Sequence, residues 1–96
     1  MGRGPALREE LKEREFLSFT LHYPTYANDV RAAEVALSLR EPADAAWFAR
    51  RALSADPEGE LAQLVLALAE GDRPALERLA REAKSEVVRG RALARR

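Results

Sequence analysis

The chain has 96 residues, room for one domain, with 47% hydrophobic and 33% charged residues, a composition that folds. Sixteen basic side chains balance sixteen acidic ones, so no net charge draws the whole molecule to nucleic acid or to a membrane. There is no cysteine, which excludes disulfides, thiolate chemistry and cysteine zinc sites.

The first residues, Met1-Gly2-Arg3-Gly4-Pro5, run into charge without an apolar stretch between, so no secretory leader is expected. No run approaches the ~18 apolar residues of a membrane span. A cytoplasmic protein without membrane contact is the expectation. Residues 5–15 read as helix, with Pro5 in its first turn and Leu7 and Leu11 one turn apart. Residues 16–23 fit two templates. As a helix they align Phe16, Phe19 and Tyr23; as a strand they separate Leu17, Phe19, Leu21 and Tyr23 from Ser18, Thr20 and His22. Helix is favoured, because a lone strand needs a partner edge and nothing else in the chain reads as β. One straight helix over 5–23 would split its apolar residues between two faces, so a break is expected near residues 13–16. Pro24 ends the segment.

A helix is expected from about Ala27 to Arg40, capped by Thr25 or Asn28, with Val30, Ala33, Ala36 and Leu37 at helical spacing. Glu41-Pro42 breaks the chain, and Pro42 can open the next helix, 43–54, with Ala45, Ala49, Ala52 and Leu53. Trp47 and Phe48 lie about 100° apart on it, one suited to the core and the other to an interface. Asp56-Pro57-Glu58 reads as a helix start, and Leu61, Leu64, Val65 and Leu68 follow at i, i+3, i+4 and i+7. Gly71 supplies a left-handed stop and Asp72 a new cap. The last helix, with Pro74 in its first turn, aligns Leu76, Leu79, Ala80, Ala83 and Val87 and frays near Gly90. About five helices in antiparallel hairpins result, an all-α domain over residues 1–96.

Candidate sites are few. His22 is the only histidine, and neither an orienting acid nor a nucleophile is placed beside it, so a surface or structural role is expected. The rings of Phe16, Phe19, Tyr23 and Tyr26 are expected to plug the core beneath the first helical pair. Lys84, Arg89, Arg91, Arg95 and Arg96 against Glu86 make the end of the chain basic, with no aromatic to stack on bases. Glu9, Glu10 and Glu13 form a carboxylate ladder without the Glu-x-x-His pairs of a bundle metal site. No catalysis, metal or cofactor is expected.

The run Ala45, Ala49, Ala52-Leu53, then Asp56-Pro57 resembles the second half of a tetratricopeptide repeat. On that pattern residues 26–57 form one unit and 58–88 a shorter second, after an N-terminal segment at 5–25 and before a basic tail at 89–96. The first helix departs from the family: Asp29 stands at the usual Trp position, Ala32-Ala33 at Leu-Gly, and Ala36 at an aromatic. The resemblance implies a protein-binding inner face carrying Ala27, Val30, Arg31, Glu34, Leu37, Ala62, Gln63, Leu66 and Glu70; Trp47 is a separate partner-binding candidate, because tryptophan is enriched at interfaces. The set that clamps a C-terminal carboxylate in some members is missing. Arrays need about three units for stability. The resemblance and the surplus of apolar residues together lead to a non-catalytic protein–protein interaction module that self-associates, as a homodimer. The alternatives are a nucleic-acid accessory protein using the basic tail, and a structural subunit of a larger complex.

Overall fold

The computed structural model describes residues 3–95, with side chains from Arg8 onward. Among them the chain is all-α: α1 (Arg3–His22), α2 (Tyr26–Ser38), α3 (Pro42–Ala55), α4 (Glu60–Glu70), α5 (Arg73–Glu82) and α6 (Glu86–Arg95). None of these helices is long and apolar enough to cross a membrane.

The turns follow local chemistry. Thr25 Oγ1 accepts from the Asn28 amide at 3.0 Å and starts α2. At the α2–α3 turn Arg40 takes a left-handed φ of 61°, and Pro42 then opens α3. Gly71 ends α4 at φ 63°, a conformation that costs glycine nothing, and the Asp72 side chain caps α5 through the Ala75 amide. Asp56 departs from expectation. It closes α3 and accepts from the Glu58 amide in a turn, while α4 begins later, behind Gly59. Gly59 is buried beneath the Tyr26 ring, where a Cβ would sit 2.2 Å from the tyrosine hydroxyl. The close approach of that ring fixes the position as glycine.

Six helices replace the five expected because the last segment breaks at residues 83–85. The Glu60 carboxylate, at the start of α4, accepts the amides of Lys84 and Ser85 at 2.7 and 2.9 Å. Ser85 Oγ then accepts from Val88 N and begins α6. The break resets the helical phase. Val88 and Ala92 enter the core, and Val87, expected there, is 67% exposed. Gly90 lies inside α6 rather than at a frayed end, and residues 89–95 of the expected tail are helix.

The expected break in α1 does not occur, so its apolar residues do divide between two faces. Leu17 is buried and Phe16 half-buried against the body, while Leu11 and Leu21 face outward. Leu7 falls outside the described side chains. The aromatic plug is corrected likewise. Phe16 and Tyr26 are half-buried, but Phe19 and Tyr23 are exposed and stack on each other at 4.6 Å.

The body is built by close packing of small residues. Ala32, Ala33, Ala36, Ala45, Ala49, Ala52 and Ala62 are all fully buried where α2, α3 and α4 meet. Without bulk at these positions the helices approach closely, and one added methylene there would cost about 1–3 kcal/mol. Beyond them Leu64, Leu76, Leu79, Ala83, Val88 and Ala92 form a second core joining α4, α5 and α6. Each buried leucine there contributes about 1.5–3 kcal/mol. α3 lies against both α2 and α4, α2 also touches α4, and α1 lies along α2, with Leu17 sharing a core cluster with Phe48 and Ala49 of α3.

Candidate functional site

Because the backbone of α1 approaches α2 but not α3, an open groove remains between α1 and α3. It has a volume of about 550 Å³ and is lined by Leu17, Ser18 and Leu21 from α1 and Trp47 and Phe48 from α3. Leu17 and Phe48 are buried and form its floor; Leu21 and Trp47, each 49% exposed, form its walls. Arg14, Glu41 and Asp44 complete the rim. Arg14 Nη2 meets Glu41 Oε1 at 2.8 Å and Glu10 Oε1 at 3.0 Å. These pairs are largely exposed and screened by water, so they add little to stability. Asp44 has no ion-pair partner among the described residues.

The end of the groove is held by Arg51. Its Nε donates to both Asp29 carboxylate oxygens at 3.1 Å, and Nη2 reaches Oδ1 at 2.7 Å. The other guanidinium donors go to the carbonyls of Thr20 and Leu21, in the last turn of α1. Carbonyls at a helix C-terminus lack intrahelical partners and carry the negative end of the dipole, so a cation suits them. Asp29 is buried and supplies the compensating charge. The same guanidinium lies over the Trp47 ring, 4.8 Å from its centroid, and Trp47 meets Phe48 edge to face at 5.1 Å. One side chain therefore fastens α1 to the body and sets the orientation of the groove's largest wall. Thr20, beside it, is fully buried, and its hydroxyl has no hydrogen-bond partner.

No protein-family model, curated protein or solved structure matches the chain. The site therefore stands on its own geometry.

The residues of the expected inner face are not gathered into one surface. Trp47 lines the groove half-exposed, and Phe48 is buried in the core. Val30 is buried with Ala52 and Ala62, because α2 and α4 touch directly there. Arg31 lies over the Phe16 ring, 5.0 Å from its centroid, in the α1–α2 cleft. Glu34 accepts from Arg91 of α6 at 2.7 Å, and Leu37 packs half-buried beside Phe48. Gln63 and Leu66 line a shallow cleft with Leu53 of α3 and Ala75 of α5. Glu70 lines the same cleft and pairs with Arg50. Three things were missed by sequence reasoning: Leu21, the Arg14–Glu41 rim and the Arg51–Asp29 pair. The pair joins positions 22 apart and crosses helices, so no local pattern announces it.

Elsewhere, Arg89 and Arg91, two cations of the expected basic tail, are spent inside the fold. Arg89 donates to the carbonyls of Ala83 and Lys84, and Arg91 to Glu34. Among the described residues no cluster of three His, Asp or Glu side chains is arranged to hold a metal ion.

Proposed function

We propose that the chain is a non-catalytic protein-interaction module that self-associates, with the α1/α3 groove as its contact surface. The supporting observation is that a half-exposed leucine of α1 and a half-exposed tryptophan of α3 line one groove with an apolar floor of Leu17 and Phe48. Tryptophan is enriched at the centres of interfaces, where its large ring is buried against a partner. A chain this small gains proportionally more than a large one from apolar surface covered by association. The packing of α3 against both flanking helices, with α2 on α4, is the neighbour order that stacked helical pairs have, and it favours reading residues 26–57 and 58–88 as tetratricopeptide-like units.

The test uses Leu21→Glu, which leaves Trp47 in place as the sole tryptophan and hence the sole indole reporter. Sedimentation equilibrium of the wild type should show association, and the variant should remain monomeric with unchanged helical circular dichroism. Affinity capture on both forms in parallel completes it. If the wild type is monomeric and both forms retain the same proteins, the groove is not a contact surface.

A further inference from the structure

The body alone builds only part of the groove. Arg14, Leu17, Ser18 and Leu21 in its lining belong to α1, while Asp44, Trp47 and Phe48 belong to α3. With α1 displaced, one wall is gone and Leu17 leaves the floor. The contact surface therefore exists only while α1 is docked.

Two features let α1 dock and release as a unit. The body closes its own end without it: Thr25 caps α2, and the Asn28 side chain donates to the Tyr23 carbonyl at 3.2 Å. Pro24, between the two helices, keeps α1 and α2 from merging into one. The docking of α1 is also lightly held. Of its described side chains only Leu17 and Thr20 are buried, and the Thr20 hydroxyl has no hydrogen-bond partner there, so the docked state loses the bond that water would supply.

Arg51 opposes release. It stands outside the groove's lining, yet its guanidinium holds both walls. It donates to the carbonyls of Thr20 and Leu21 at the end of α1, and it lies over the Trp47 ring of α3. Its own anchor is the buried Asp29 of α2, so the fork stays aimed at the α1 site when α1 leaves.

We propose that Arg51 is a latch that makes the groove conditional: docking of α1 assembles the contact surface, and occupancy of that surface draws α1 closed. The inference rests on the groove being a contact surface, and it adds how that surface is switched. A partner that binds only the docked form shifts the population toward it. Apparent affinity falls with the docked fraction, so a docked fraction of about one tenth weakens association about tenfold. Arg51 is a positioning residue, acting through α1 and Trp47.

The test separates docking from folding. Arg51→Met/Asp29→Leu removes the latch without stranding a buried charge, and Thr20→Val, outside the groove's lining, favours docking alone. In the dilute double variant, amides of residues 17–22 should lose protection while those of α3 and α4 keep it, and acrylamide should quench Trp47 more readily. Self-affinity should fall at least about tenfold. Adding Thr20→Val should restore part of all three together. Should the double variant fail to fold, Arg51→Lys keeps Asp29 compensated but lacks the planar fork, and it should show the same changes more weakly. Wild-type protection of residues 17–22 without the latch would overturn the proposal and leave the groove as a contact surface. A released α1 with wild-type self-affinity would overturn both. If the wild type is monomeric at every concentration, self-association fails, and the latch is decided in the monomer. Trp47 quenching that follows α1 exchange from variant to variant upholds it, and quenching independent of that exchange overturns it.

Discussion

The α2–α4 body and α1 are both helical, yet they are held by different forces. The body is fixed by fully buried alanines and by Leu64 and Val65, an apolar packing that neither salt nor pH addresses directly. α1 is a 20-residue helix lying along α2 and reaching α3 through side chains, fastened by Leu17, half-buried Phe16, and charged or cation–π contacts through Arg14, Arg31 and Arg51. A groove can stay open beside α1 because its attachment is concentrated at its C-terminal half. Variants in the two regions should therefore fail differently.

The largest effect is expected in the body. Leu64→Ala removes a fully buried side chain where α4 meets α5 and α6, and should cost about 2–5 kcal/mol in urea unfolding. An unchanged midpoint would remove Leu64 from the core. Next comes the α1 attachment. Arg51→Met leaves the buried Asp29 carboxylate without its cation and should cost about 3 kcal/mol, with α1 released first. Adding Asp29→Leu should recover most of the loss, since an apolar pair avoids burying any charge. Failure to recover would mean the pair acts through the α1 carbonyls alone.

A smaller, pH-dependent effect belongs to Glu60. The amides of Lys84 and Ser85 hold its carboxyl below the ordinary glutamate value. The folded protein then binds that proton more weakly than the unfolded chain. The Glu60 contribution is therefore full at neutral pH and fades as pH falls through the ordinary carboxylate range toward the lowered value. Glu60→Gln should flatten this part of the acid stability profile and loosen α6 at neutral pH, as read by amide exchange at residues 84–92. The smallest effect is at Thr20, whose buried hydroxyl has no partner. Thr20→Val should be neutral or stabilise by up to about 1 kcal/mol. A clear destabilisation would show that the hydroxyl is hydrogen-bonded in solution.

Much of the fold was legible because it is written locally. Pro42, Gly71, Asp72 and Thr25 act within a few residues of themselves, and the leucine spacing of 61–68 sets a helical face without reference to the rest of the chain. The errors arise where a distant residue decides. Glu60 ties down the 84–85 amides from 24 positions away, so the α5–α6 break looked like continuous helix and Val87 was assigned to the core in place of Val88. The one local signal of the break is Ser85, whose hydroxyl caps α6 through the Val88 amide. Gly59 starts α4 because Tyr26 covers it, a contact invisible along the sequence. Of the candidate site, only Trp47 was legible, since adjacent large rings on one helix cannot both face the core. The rest of the inner face was laid out by resemblance, and direct contact of α2 with α4 and of α6 with Glu34 dispersed it.

Native-state hydrogen exchange on the dilute monomer tests the different attachment of α1 and the body most directly. The amides of residues 8–16 should exchange by local opening at a small fraction of the global unfolding free energy, while those of α3 and α4 exchange only with global unfolding. Equal protection across α1 and α4 in the dilute protein would contradict the account.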